Sequence, residues 1–410
     1  MSRSLRILHT SDWHLGRTLC GRRRGGEFAR FLDWLAQTID DKQVDVLLVA
    51  GDIFDGLSPS PAAQEIYYRF LSRLAASPSH VQVVIISGNH DSPSLLNAPA
   101  GILKALNIHV VGRLSADTEN EIISLKHSNG QPSLIVAAVP YPRDRDLRES
   151  MAGESPEEKE QKLVQAIIGH YEEAGLAAEK KRAALSSPVP IVGMGHLFAA
   201  GGALAEGDGV RNLYVGALGR VPIEAFPACF DYLALGHLHQ PQLVGGDPTR
   251  RYCGSPLAHS FAEAGKSKSV CLIDMRNSTV EVELLPVPVF QRLEHLEGDW
   301  PRIEAGLRRL LEDKAEAWLE IEYTGENIVG DLQEKVAETL SDSSLEVLRL
   351  KNHRLRALSL AAYEAGENLG DLNEKEAFAR CLETQQVPED QRQELWLTYN
   401  EALQGLREES

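Results

Sequence analysis

Five short runs in this 410-residue chain combine carboxylate, amide and imidazole groups at spacings that suit metal-assisted hydrolysis. In order they are Asp12-x-His14, Gly51-Asp52-x-x-Asp55, Gly88-Asn89-His90-Asp91, Gly195-His196 and Gly236-His237-x-His239. Residues two apart on an extended chain point the same way, so Asp12 and His14 can grip one ion together. Each run alone is weak evidence, since a bare Asp-x-His recurs often by chance. Their placement is informative. Each follows an apolar stretch, and four carry a glycine just before the polar group, where a tight turn is needed. Brought together, they supply Asp12, Asp52, Asn89, His14, His196, His237 and His239. A carboxylate buried among neutral imidazoles is costly. Two divalent cations remove that cost, with Asp52 shared between them at the roughly 3.5–4 Å spacing of two-metal hydrolytic sites. Nitrogen and oxygen donors without a thiolate favour Mn, Fe or Zn over Ca or Mg. Separately satisfied core or surface histidines explain any one run, but not five in this order.

Two divalent cations acidify a shared water toward neutral pH, which is what metal-assisted hydrolysis needs. His90 has the intrinsic acidity of a general acid or base. Asp91 is read as a cap for the helix beginning at Ser92. Arg17 and the glycine-flanked Arg22, Arg23 and Arg24 follow the first run. They either hold a phosphate backbone or form a solvated loop.

The elements that must position these groups alternate in type. Residues 6–11, 44–50 and 81–87 read as strands, the latter two apolar and β-branched enough to be buried on both faces. Residues 27–40 have helical spacing, and Pro59 and Pro61 open a second helix to about residue 76. This alternation predicts parallel pairing in an α/β fold, with the chemistry at the carboxyl edge of the sheet. Short strands are expected at 108–111, 122–126 and 133–139, then a charged helix over 156–184. Strands at 189–194 and 231–235 carry the last two runs, Tyr252 to Pro256 reads as a turn, and 269–275 with 280–285 form a hairpin. Gly201 to Gly209 is either a mobile loop beside the site or an inert surface loop. Pro286 and Pro288 mark a boundary, dividing residues 1–285 from a small α/β domain over 286–355. A polar link and two helices, 371–384 and from Pro388 onward, occupy 356–410.

The net charge of −17 is unusual for a protein that handles nucleic acid, but it is unevenly spread. Residues 286–410 hold about 14 basic and 27 acidic side chains, roughly −13, which leaves roughly −4 for the rest. The acidity belongs mainly to a solvated helical surface. No apolar run approaches the roughly 20 residues of a membrane helix, and Met1–His9 has too short an apolar core for a signal peptide. The five cysteines (Cys20, Cys229, Cys253, Cys271, Cys381) form no Cys-x-x-Cys pair, which fits reduced thiols in the cytoplasm.

The ordered runs resemble the signature of the calcineurin-like metallophosphoesterases. Within them the chain is similar to the SbcD family, nuclease subunits that act with SbcC-type, SMC-like ATPases. The likeness rests on Ile7-Leu8-His9-Thr10-Ser11-Asp12-Trp13-His14-Leu15-Gly16, Val49-Ala50-Gly51-Asp52-Ile53-Phe54-Asp55, Ala234-Leu235-Gly236-His237-Leu238-His239 and Arg251-Tyr252-Cys253-Gly254-Ser255-Pro256. It implies a four-layer β-sandwich flanked by helices, a small α/β capping domain and C-terminal helices. It also implies one ion held by Asp12, His14, Asp52 and His239, and a second held by Asp52, Asn89, His196 and His237. His90 would serve the leaving oxygen, oriented by Asp55. The implied activity is Mn²⁺-dependent 3′→5′ exonuclease action on duplex DNA and endonuclease action on single strands and hairpins, in DNA repair, recombination and replication. The implied assembly is a homodimer within a heterotetramer, with helices 27–40 and 61–76 as dimer contacts by analogy. The terminal helices either dock on the partner's coiled coil through Leu372, Phe378, Leu395, Trp396 and Tyr399 or pack on their own protein. A stand-alone phosphatase or cyclic-nucleotide phosphodiesterase would use the same metals, and a scaffold that merely assembles the ATPase would need none.

Overall fold

The strand Val46–Ala50 has every residue buried, and its side chains divide between two cores. Val46, Leu48 and Ala50 enter one cluster, while Leu47 and Val49 enter another. That is the two-residue period of an extended chain with apolar layers on both faces. The structure, a computed structural model, describes residues 4–147, 155–199, 221–276, 279–325, 332–341 and 343–352, with 329, 392, 396 and 399.

Around this strand, six strands pair in the order Thr279–Pro286, Ser269–Arg276, Leu5–Thr10, Val46–Ala50, Gln82–Ile86, Ile108–Val111. The last four run parallel, as the alternation predicts, and Ser269–Arg276 joins Leu5–Thr10 antiparallel. A second six-stranded sheet has the order Gln242–Val244, Asp247–Tyr252, Tyr232–Gly236, Ile191–His196, Pro132–Ala138, Ile122–Lys126. The two sheets face each other across a core where Ile7, Val84 and Ile86 of the first meet Val136, Met194, Tyr232 and Ala234 of the second.

Each outer face is covered by helix. Gly25–Asp41 and Pro61–Ala76 lay Phe28, Phe31, Leu35, Tyr67 and Phe70 on the first sheet. Pro156–Ala183 lays Ile167, Tyr171, Ala174 and Ala178 on the second. Its start is a capping box, in which the Ser155 side chain and Glu158 satisfy each other's backbone amides. The result is helix, sheet, sheet, helix: the four layers that the resemblance implies. Strand-by-strand reading alone brings the five runs to one sheet edge. The structure corrects this to the carboxyl ends of two facing sheets. The segment before Tyr252, read without a strand, holds the short pair Gln242–Val244 and Asp247–Tyr252.

The chain divides into two compact units, the larger formed by Met1–His295 with Glu316–Leu319. The remainder contains the helices Trp300–Glu312 and Leu332–Thr339. Arg292–Gly298, Ala317–Tyr323 and Leu345–Asn352 pair as a three-stranded sheet. The Gly-rich run 201–209 and the link 356–368 lie outside the described residues. So do most of the terminal helices, Leu372, Phe378 and Leu395 included; Trp396 and Tyr399 are helical, their rings 5.9 Å apart edge to face. Among the described residues, no helix is long and apolar enough to cross a membrane.

Candidate metal centre

Three strands of the first sheet and two of the second end in one cluster. Leu5–Thr10 leads into Asp12 and His14, Val46–Ala50 into Asp52 and Asp55, and Gln82–Ile86 into Asn89 and His90. From the facing sheet, Ile191–His196 ends on His196, and Tyr232–Gly236 leads into His237 and His239. The first two loops are zipped by main-chain bonds: the Asp12, His14 and Leu15 amides donate to the carbonyls of Gly51, Asp52 and Ile53 at 2.9–3.0 Å.

Glycine is required where the loops cross. Gly51 has φ +87°, and a methyl there would stand 2.3 Å from His196 Nδ1. A methyl on Gly88 would stand 2.1 Å from Asp52 Oδ1. Of nine non-glycine residues with positive φ among the described residues, four lie in this cluster: Asp12 (φ 54°), His14 (49°), Asp52 (52°) and His237 (105°). Such backbone is costly and gathers at functional sites.

Asp52 stands at the middle. Its Oδ2 lies 3.5 Å from His14 Nε2 and 3.3 Å from His196 Nε2. On one side His14 Nε2 is 3.3 Å from His239 Nε2. On the other, Asn89 Oδ1 is 3.0 Å from His196 Nε2 and 3.1 Å from His237 Nδ1. Asp12 accepts the His237 amide at 3.0 Å and the Ser11 hydroxyl. His196 Nδ1 lies 2.8 Å from the Ala50 carbonyl, which orients the ring.

Burial pushes the Asp12 carboxyl up to about 7, with His196 opposing and Asp52 reinforcing the shift. Burial acts the same way on Asp52, but the charge and hydrogen bond of His196, then His14 and His90, hold it well below the usual carboxylate range. Burial presses His196 down, yet Asp52 raises it to about 9. Burial and then His196 hold His237 down to about 3, and burial and then His14 hold His239 well below its ordinary value. The donor set fits cations: buried carboxylate, amide and imidazole groups converge, and three of the imidazoles (His14, His237 and His239) are held neutral. Two groups with ligand atoms mutually within 4.8 Å are Asp12, Asp52, His196 and His14, Asp52, His90.

His90 is half-buried, and its amide donates to Asp52 Oδ1 at 2.9 Å. Its Nδ1 lies 3.1 Å from the Asp55 main-chain carbonyl, not the Asp55 carboxylate. That carboxylate turns instead to His14 Nδ1 and Arg17 Nη1, each at 3.4 Å. The contact between Asp55 and His90 is therefore made by the Asp55 backbone. Asp91 is a further correction: Ser92 caps the next helix by accepting the Leu95 amide. Asp91 is fully buried and accepts the amides of Ile53, Phe54 and Gly88 at 2.8–3.1 Å, pinning the Asp52 loop.

Arg22 and Arg23 are exposed on a two-stranded ribbon with Thr18–Leu19. Arg24 does not join them. It is buried, bidentate to Glu27 at 2.8 and 3.0 Å and stacked over Phe28, so it cannot reach phosphate. The Arg-x-x-Glu spacing at a helix start carried that signal. Two groups near the cluster escaped sequence reading because they follow no run. Arg143 donates to the Asp91 carbonyl at 2.6 Å. His259 lies beside His14 and His239, with ring centroids 4.8 and 4.9 Å away.

Residues 5–241 match the family described as calcineurin-like phosphoesterase, and residues 289–386 match the type 5 capsule protein repressor C-terminal domain. The chain is 38% identical over 405 residues to the SbcD subunit of the SbcCD nuclease of Escherichia coli (strain K12), covering 98% of each. It is 37% identical over 316 residues to the corresponding SbcCD nuclease subunit of Rhodobacter capsulatus, covering 75% of this chain and 76% of the other. The corresponding subunit of Bacillus subtilis is 36% identical over 274 residues, 66% of each.

Proposed function

Because the chain belongs to the calcineurin-like phosphoesterases and, within them, to the SbcD nuclease-subunit family, we propose that its strand-end cluster is the two-metal centre of a DNA nuclease. One observation carries the reading. Asp52 stands between two ligand sets, with His14 Nε2 3.5 Å away on one side and His196 Nε2 3.3 Å away on the other. Asp12, His14, Asp52 and His239 hold one ion, and Asp52, Asn89, His196 and His237 hold the other. Both ions are Mn²⁺ in this reading. When bound they supply Lewis acidity toward the phosphoryl oxygens and a water acidified toward neutral pH.

The rest falls to the protein's own groups. The Asp55 carbonyl can only accept, so His90 Nδ1 keeps its proton there and Nε2 is the atom that gives a proton to the leaving oxygen. Asp55 also steadies the His14 ring and Arg17, and Arg17 would offer its charge to an incoming phosphate. Arg22 and Arg23 contribute backbone contacts. Residues 1–285 form the nuclease domain and residues 286–355 a small α/β domain, and 356–410 dock on an SbcC-type ATPase. Two copies of each subunit form the assembly, which works in the cytoplasm in repair, recombination and replication. Its actions are 3′→5′ exonuclease cleavage of duplex DNA and endonuclease cleavage of single strands and hairpins.

The test is cleavage of hairpin DNA with Mn²⁺, comparing wild type with His90→Ala, alone and with the co-expressed ATPase. Cleavage that needs Mn²⁺, fails in His90→Ala and gains ATP dependence with the partner supports the reading. Hydrolysis of small phosphodiesters with no DNA cleavage in either setting overturns the nuclease assignment. It would leave the metal centre standing, as a stand-alone phosphoesterase.

A further inference from the structure

His259 stands outside the five sequence runs, between the Ser255-Pro256 turn and the short helix Phe261–Glu263, and it is 2% exposed. Its Nε2 lies 3.0 Å from the main-chain carbonyl of Asp12. A carbonyl only accepts, so Nε2 carries the ring proton and Nδ1 the lone pair. Nδ1 is buried with no hydrogen-bond partner. An acceptor left so is costly unless something else meets it. One ring nitrogen each from His14, His239 and His259 lie within 4.8 Å of one another. The His14 and His239 rings are 5.1 Å apart, and His259 is 4.8 and 4.9 Å from them, so it closes a triangle.

A metal-ligating histidine almost always gives its other N–H to a carbonyl or carboxylate, which fixes its tautomer. His196 has that arrangement, with Nδ1 at the Ala50 carbonyl and Nε2 in the cluster. His259 likewise gives one nitrogen, Nε2, to a main-chain carbonyl, and its ring stands against His14 and His239. Resting on the two-metal reading above, we propose that His259 is a further ligand, the third imidazole on the ion held by His14 and His239. A residue that served only to hold the left-handed Asp12 backbone would need the Nε2–H bond but not a ring packed against two other imidazoles. A third neutral nitrogen biases that ion toward Mn, Zn or Fe and away from Mg, which prefers oxygen donors.

The experiment titrates the metal-free full chain with Mn²⁺ by calorimetry and records the visible absorption of the Co²⁺-loaded protein. It compares wild type, His259→Leu and His259→Gln. Glutamine keeps a donor for the Asp12 carbonyl but lacks the imidazole, so it stands in if the leucine variant fails to fold. We expect two Mn²⁺ in wild type. In both variants one affinity falls at least about tenfold, the other holds, and the Co²⁺ bands change in intensity and position. If His259→Gln binds both ions as wild type does with an unaltered Co²⁺ spectrum, His259 is a positioning residue and the ligand inference is overturned. If wild type binds fewer than two Mn²⁺, the two-metal reading itself fails and takes the inference with it.

Discussion

Removing the Asp91 carboxylate would show what holds the central loop. Its two oxygens accept the amides of Phe54 at 2.9 Å, Ile53 at 3.1 Å and Gly88 at 2.8 Å, all out of water. Asp91→Ala orphans three buried donors, each costing about 1–3 kcal/mol, so about 6 kcal/mol at mid-range. An opposing effect reduces this. Burial first, and the charge of Asp52 second, push the Asp91 carboxyl from its ordinary 3.8 up to about 6. Relief of that strain offsets only part of the loss, because the three amides already pull the carboxyl back down. The orphaned amides win, with a net loss of about 3 kcal/mol, a large share of ordinary stability. Asp91→Asn is neutral and keeps one acceptor, so it gains the relief and loses less, staying within about 1–2 kcal/mol of wild type. Urea titrations of the metal-free protein at pH 7.5 measure all three. Mn²⁺-dependent cleavage should also fall at least about tenfold in Asp91→Ala, because the loop carries Asp52 although Asp91 touches no substrate. An Asp91→Ala protein that unfolds within about 1 kcal/mol of wild type, or an Asn variant as damaged as Ala, would refute this account of the loop.

His9 is fully buried against Tyr232, its Nδ1 3.0 Å from the hydroxyl, and burial, then the charge of Arg251, hold its ring down to about 3. The folded chain resists protonating it, so its share of stability is complete above the ordinary 6.5 and drains away as pH falls toward 3, at about 1.4 kcal/mol per pH unit. His9→Gln should lose less stability than wild type between pH 7 and 5 by about 2 kcal/mol in urea midpoints; parallel curves would count against it. Gly88→Ala drives a methyl into Asp52, so Mn²⁺ affinity measured by calorimetry should fall at least about a hundredfold while the far-ultraviolet circular dichroism stays native. Arg24→Ala strands the buried Glu27 carboxylate and should cost about 3 kcal/mol in thermal or urea unfolding, with DNA affinity unchanged. Arg22→Ala with Arg23→Ala should leave stability alone but reduce the salt dependence of DNA binding by about one to two contacts in fluorescence anisotropy, and an unchanged slope would remove them from the interface.

The parallel half of the fold was legible because strands such as Val46–Ala50 bury both faces and announce it by composition. The division into two facing sheets was not, since an unbroken apolar run looks the same whether its far side meets a helix or another sheet. The edge pair Gln242–Val244 and Asp247–Tyr252 escaped because it is short, mostly part-exposed and broken by Gly245 and Gly246. Arg24 was misread because a cluster of arginines suggests phosphate before it suggests a buried partner three residues on. The seven metal-ligand candidates were legible for a different reason. They fall at strand ends, where chain direction alone brings them together. His259 and Asp91 act through a carbonyl and through amides, and such roles leave no spacing to read.

The backbone favours these residue types at the ligand positions of the loops. Asp12, His14 and Asp52 sit near φ 50° and His237 at 105°, where a bulky or β-branched side chain would be severely strained. Among non-glycine residues, Asp, Asn and His tolerate that region best, and they are also the residues that donate oxygen and nitrogen to a divalent ion. Conformation and coordination therefore select the same side chains. Asp12→Glu would keep the charge while moving its carboxylate one methylene outward from a backbone that is already strained. Such a substitution fails on both counts, so the runs are more tightly specified than their ligand chemistry alone requires.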